Sequence, residues 1–308
     1  MIRRIARALW YGVVAWVAWR LLGPEIPPRF HGIQRRPSRV TGRTVVVGEH
    51  EFFVRELGDP TAPPLVLVHG WSFDSLMTFS RILPRLSPHY RLIVPDHRNH
   101  GKSDRIRDHF DIEDLADELA GILDAIGVED AVSIVGYSMG GMVAQAFARR
   151  YPGRVRSLVL AATAAHPIDR HRGAVRVAFW LGRAAARLSK KESAMVTYRL
   201  LVGQGIVAAE HGRWLWENLM NRDPTLYYES GAAVLRFDSR PWVGTLDVPI
   251  MVIILSDDKV VPARTQYQLA SYLPEARVHE MFGSGHEAIL SRADEFVDAI
   301  EAFVGVGP

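Results

Sequence analysis

The sequence predicts an α/β protein built on a mostly parallel sheet covered by helices on both faces, and three observations carry that prediction. From Thr44 onward, eight β-rich runs alternate with helical patterns. The later runs are short and continuously apolar, as strands buried on both faces must be. One interval of about 80 residues, between Thr163 and Asp247, breaks the alternation with mostly helical character and no clear strand.

In chain order the strand candidates are Val45–Val47, Glu51–Leu57, Leu65–Val68, Tyr90–Val94, Val132–Val135, Leu158–Ala161, Ile250–Leu255 and Arg277–Met281. Helical patterns fall between them at Ser75–Leu86, Ile112–Ala125, Met139–Arg150 and Ala263–Tyr272, with a last one at Asp294–Val304. No internal repeat is visible. An insertion of this size after a core strand reads as a cap over the strands' C-terminal ends. The expected organisation is a core of residues 44–163 and 247–308, interrupted by a helical cap over 164–246.

Composition removes several classes of function. Of 308 residues 48% are apolar, and none is cysteine. That excludes a disulfide framework, a thiolate zinc site, an iron–sulfur cluster and a cysteine nucleophile. The net charge of +3 is unevenly spread. Residues 1–43 hold nine arginines against Glu25 alone, so the remaining 265 residues carry a net −5. Without a basic, aromatic-interleaved run in that acidic body, no nucleic-acid partner is expected.

The N-terminus invites a different reading. Ala8–Trp19 is uncharged, and Ile5–Leu22 as a helix would be about 27 Å long. Trp10, Tyr11, Trp16 and Trp19 favour a membrane–water interface, and no small-x-small cleavage site follows. The expectation is an uncleaved membrane-anchor helix over 1–28, spanning or interfacial, with a basic linker over 29–43. The arginine balance around it favours a membrane-associated protein on the cytoplasmic face. The segment 166–200 carries eight Lys plus Arg against two acids, readable as a solvated helix face or as a basic amphipathic lid.

Chemistry enters at Gly136-Tyr137-Ser138-Met139-Gly140, a G-x-S-x-G run that ends an apolar strand and opens a helix. A serine in so sharp a turn needs flanking glycines, because neighbouring Cβ atoms would clash. Ser138 is the candidate nucleophile. The helix N-terminus lies behind it, and the Met139 N–H is a candidate oxyanion donor.

With that motif the chain resembles the α/β-hydrolase superfamily over 44–308. His69-Gly70-Trp71, after the strand Leu65–Val68, is similar to the family's oxyanion loop, which implies the Trp71 N–H as second donor. His69, Gly70, Gly136 and Gly140 then support the loop and the elbow. Asp96-His97-Arg98-Asn99-His100-Gly101-Lys102-Ser103 resembles the family's D-x-R-G-x-G-x-S turn, with Asn99 in place of Gly; Asn tolerates φ > 0. The resemblance implies the α/β-hydrolase fold itself: a mostly parallel eight-stranded sheet with a helical cap after strand 6.

A serine nucleophile needs a general base, and the base an orienting carboxylate. The family's order of Ser, acid, His points to His286 in Gly283-Ser284-Gly285-His286, while His279 sits within a strand pattern. The family's Asp four residues before Pro selects Asp258 over its neighbour Asp257, since Pro262 follows. His97, His100 and Asp96 match no familiar metal site, and neither metal nor cofactor is expected.

The expected activity is a serine hydrolase acting on a carboxylic ester with an apolar acyl chain, lipid-derived esters included. Ser138 argues against the aspartate-dependent dehalogenases and epoxide hydrolases of the same fold. His69-Gly70-Trp71-Ser72 lacks the HGGPG of proline iminopeptidases. Carbon–carbon bond hydrolases, thioesterases, acyltransferases and cofactor-free perhydrolases share the triad and stay open. The intact Ser138, Asp258 and His286 set opposes a non-catalytic, membrane-tethered binding protein. Oligomeric state is not written in the sequence.

Overall fold

The computed structural model describes residues 10–12, 14, 26–30, 32–33, 40–167, 182–184, 186–187, 189–203 and 207–305. Eight strands form one sheet in the order β1-β2-β4-β3-β5-β6-β7-β8. They are β1 (Arg43–Val47), β2 (His50–Leu57), β3 (Pro64–Val68), β4 (Arg91–Pro95), β5 (Val132–Tyr137), β6 (Val155–Ala161), β7 (Ile250–Leu255) and β8 (Arg277–Met281). β2 pairs antiparallel with β1 and β4, and all other pairs are parallel.

The apolar runs bury both faces of their strands. In β3, Val66 and Val68 enter one core layer while Leu65 and Leu67 enter the other, as the two-residue period of a strand requires. The first layer joins the sheet to α3 (Ile112–Ala125) and α4 (Met139–Arg150), through residues such as Leu119 and Phe147. The second joins it to the C-terminal helix (Ala293–Val304), through Phe296 and Ile300. The predicted helix over Ser75–Leu86 is two pieces, α1 (Ser75–Phe79) and α2 (Leu83–Leu86). Pro84 lacks the N–H that a continuous helix would bond to the preceding turn, so the helix restarts around it. Asp74 caps α1, accepting from the Met77 N–H at 2.7 Å.

Between β6 and β7 the chain makes its large excursion. Its longer described helices are α5 (Lys190–Gly203), α6 (Gly212–Asn221) and α7 (Pro224–Arg236). α5 and α6 share a small apolar cluster around Met195, Leu215 and Leu219, which also takes in Met77 of α1, while Ala233 of α7 packs into the first core layer. Of the basic segment, residues 168–181 lie outside the described residues. Arg183, which is described, forms an ion pair with Glu229 of α7 at 2.9 Å.

The expected membrane-associated location is corrected here. Among the described residues, no helix is long and apolar enough to cross a membrane. Most of the expected anchor over 1–28 lies outside those residues, so membrane tethering has no support in the structure. The physical reason is visible in the charges. Arg7 and Arg20 confine the uncharged run to twelve residues, about 18 Å of helix against an apolar bilayer core of about 30 Å. Ile26 and Phe30, next to and within the stretch read as a linker, pack against the apolar cluster of the insertion.

Candidate active site

The centre of the site is the turn between β5 and α4. Ser138 sits there at φ 57° and ψ −120°, a left-handed conformation that costs an L-residue energy. The surrounding backbone holds it in place. Ser138 N–H donates to the Ala161 carbonyl at 2.9 Å, and Gly141 N–H donates to the Ser138 carbonyl at 2.9 Å. A Cβ at Gly136 would lie 2.5 Å from the Gly140 oxygen, and one at Gly140 would lie 2.0 Å from the Val68 oxygen. Only glycine allows backbone to meet backbone this closely. Met139 opens α4, whose first N–H groups have no acceptor within the helix.

The loop after β3 runs alongside. A Cβ on Gly70 would fall 3.1 Å from the Ser138 Cβ and 3.6 Å from its Oγ. His69 shapes this loop: Nδ1 donates to the Gly70 carbonyl at 2.7 Å, and Nε2 accepts from the His97 N–H at 3.0 Å. Those two bonds describe a neutral ring, and burial holds its pKa well below the usual histidine value. Trp71 is gripped from two sides. Its indole Nε1 donates to the Tyr227 carbonyl of α7 at 2.7 Å, and its ring stacks on Tyr227 at 4.5 Å. On the core side, His100 Nε2 meets the Trp71 carbonyl at 2.5 Å.

The turn after β4 packs behind this loop. Asp96, fully buried, accepts from Arg55, Ser75 and the Lys102 N–H. Asn99 adopts φ 66°, and its Oδ1 accepts from the Ile106 N–H at 2.8 Å. The asparagine therefore takes the left-handed position and adds a bond that glycine lacks.

The expected base and acid meet. His286 Nδ1 lies 2.7 Å from Asp258 Oδ2. A carboxylate only accepts, so Nδ1 carries the proton and the Nε2 lone pair is left for chemistry. Asp258 is buried, with Oδ1 accepting from the Val260 and Val261 amides at 2.8 and 2.9 Å and Oδ2 also accepting from Gln266 at 3.1 Å. Asp257 is exposed; its backbone N–H bonds Ser284 at 3.0 Å, and its carboxylate does not approach His286. His279 lies on β8, 3.9 Å from Glu295.

Ser138 and His286 line one cavity. Its apolar wall comes from Trp71, Phe73, Leu201, Val260, Ile289 and Leu290, so both core and insertion enclose it. Three residues here, Tyr137, Gln266 and Glu287, went unread in the sequence. Tyr137 donates its phenol O–H to the His286 carbonyl. Gln266 braces Asp258. Glu287 lines the cavity beside His286. The partners of Gln266 and Tyr137 lie 8 and 149 positions away in the chain. Only the adjacency of Tyr137 to Ser138 and of Glu287 to His286 offered a signal.

The model of the alpha/beta hydrolase fold family matches residues 63–202 and 214–293. The chain belongs to the α/β-hydrolase fold family. Among curated relatives of this hydrolase, pimeloyl-(acyl-carrier protein) methyl ester esterase of Neisseria meningitidis is 29% identical over 246 residues, covering 77% of this chain and 92% of that one. The 2-hydroxy-6-oxo-2,4-heptadienoate hydrolase of Pseudomonas putida is 28% identical over 281 residues, covering 85% and 96%. Among solved structures, the enol-lactonase from Burkholderia xenovorans LB400 superposes with a TM-score of 0.73 at 24% identity, over 85% of this chain and 100% of that one. At that identity the superposition speaks for the fold.

Proposed function

We propose that this α/β hydrolase is a serine esterase that cleaves a carboxylic ester through an acyl-enzyme. The observation that carries the reading is that Ser138 and His286 face one cavity while Asp258 holds His286 Nδ1. In this reading Ser138 Oγ attacks the ester carbonyl as its proton passes to His286 Nε2. The amides of Met139 and Trp71 stabilise the tetrahedral oxyanion. Collapse breaks the C–O bond, and His286 returns the proton to the leaving alkoxide. Water, deprotonated by His286, then releases the acid and restores Ser138. Asp258 stays ionised throughout and keeps the ring oriented.

The curated relatives support the class: one is named for the hydrolysis of a methyl ester, the other for hydrolysis of a heptadienoate. The apolar wall, with Leu201 and Ile289 among its members, suits an apolar acyl chain. The test is steady-state hydrolysis of 4-nitrophenyl hexanoate by wild type and Ser138→Ala. The expected result is turnover by wild type and a loss of at least about 10³-fold in the variant. Equal rates for the two proteins, or no turnover by wild type on any chain length, would overturn the reading.

A further inference from the structure

We propose that Glu287 is a charge filter at the site, so that the substrate is an ester without a carboxylate or phosphate near the scissile bond. This rests on the serine-esterase reading above. Glu287 follows His286 directly and lines the same cavity. Its carboxylate folds back over the loop that carries His286: a Cβ on Gly285 would lie 2.4 Å from Glu287 Oε2. Its charge is felt at the Tyr137 phenol, which donates to the His286 carbonyl. That phenol is pushed well above its ordinary pKa, first by burial and then by the negative charges of Asp258 and Glu287.

The two carboxylates beside His286 differ in one respect. Asp258 is matched by two amides, by Gln266 and by the histidine itself. Among the described residues, the Glu287 carboxylate has no hydrogen-bond or ion-pair partner. Among those residues, too, no lysine or arginine lines the cavity. Arg222 of the insertion lies behind Tyr227, its guanidinium 3.7 Å from that ring's centre and bonded to Thr197 at 3.0 Å. A half-buried carboxylate with no counter-charge, set in a mostly apolar wall, raises the cost of a bound anion. A second negative charge in the cavity is therefore repelled, and an uncharged substrate is not.

The experiment compares 4-nitrophenyl hydrogen glutarate with 4-nitrophenyl hexanoate, in wild type, Glu287→Gln and Glu287→Lys. The quantity read is kcat/KM for the anionic ester divided by kcat/KM for the neutral one. The expected order is wild type lowest, Glu287→Gln at least about tenfold higher, and Glu287→Lys higher again. A loss of packing would not produce that order. Fluorophosphonate labelling of Ser138 in each variant establishes that its site is folded. A ratio that stays the same across the three proteins overturns the charge filter while leaving the esterase reading intact. Failure of wild type to hydrolyse either ester overturns the esterase reading, and the filter with it.

Discussion

The elbow around Ser138 and the insertion between β6 and β7 are both parts of one cavity, yet they are built in different ways. At the elbow, backbone touches backbone: Gly140 packs where any Cβ would lie 2.0 Å from the Val68 oxygen, and Ser138 is held in a left-handed conformation between β6 and α4. Nothing larger than glycine fits there, so the geometry follows from a few residue types at fixed spacing. The insertion reaches the site through side chains instead. Leu201 contributes wall, and Tyr227 stacks on Trp71. Side-chain packing accepts many solutions of equal volume. On the proposed reading, the chemistry is held by a rigid backbone, and acyl-chain selectivity by exchangeable contacts.

The largest effect should come from the rigid side. Asp258→Asn keeps the shape but removes the acceptor that fixes the His286 tautomer, so kcat for a 4-nitrophenyl ester should fall on the order of 10³–10⁴-fold. A fall below tenfold would mean that His286 is oriented by something else. On the insertion side, Leu201→Trp should leave Ser138 reactive toward a fluorophosphonate while shortening the acyl chain accepted. The octanoate-to-butanoate ratio of kcat/KM should drop about tenfold, and an unchanged ratio would place the acyl chain elsewhere.

The smallest effect lies at the start of α1. Asp74 caps α1, and its pKa is raised to about 6 by burial and then by the nearby charge of Asp96. Its folded value stands above its unfolded one, so its contribution to stability is complete below about pH 4 and is lost as pH rises through about 6. Asn caps a helix as well as Asp but carries no charge. Asp74→Asn should therefore match wild type in urea at pH 4 and exceed it by about 1 kcal/mol at pH 8. Equal midpoints at both pH values would contradict the assignment.

How much the sequence revealed follows the same division. The eight strands were readable because parallel strands buried on both faces leave continuous apolar runs, as in Leu65–Val68 and Ile250–Leu255. Ser138 was readable from its glycines, and the approach of Asp258 to His286 was implied by the resemblance to the family's order and motifs. Gln266 was not readable, because its partner is fixed only by the fold. The break in the helix at Pro84 was written in the sequence but outweighed by the apolar period around it. The N-terminal run misled for a related reason. Its tryptophans and low charge resemble an anchor, but twelve uncharged residues between arginines are too short to span a bilayer. Hydropathy averaged over such a window reports composition more than length.

One measurement bears most directly on the claim that Ser138 is the nucleophile. Wild type, Ser138→Ala and His286→Ala are treated with a fluorophosphonate, and the adduct is located by peptide mass spectrometry. The account predicts a single adduct on Ser138 in wild type, none in Ser138→Ala, and labelling slowed by at least about 10²-fold in His286→Ala. An adduct on another residue, or equal labelling of wild type and Ser138→Ala, would contradict it.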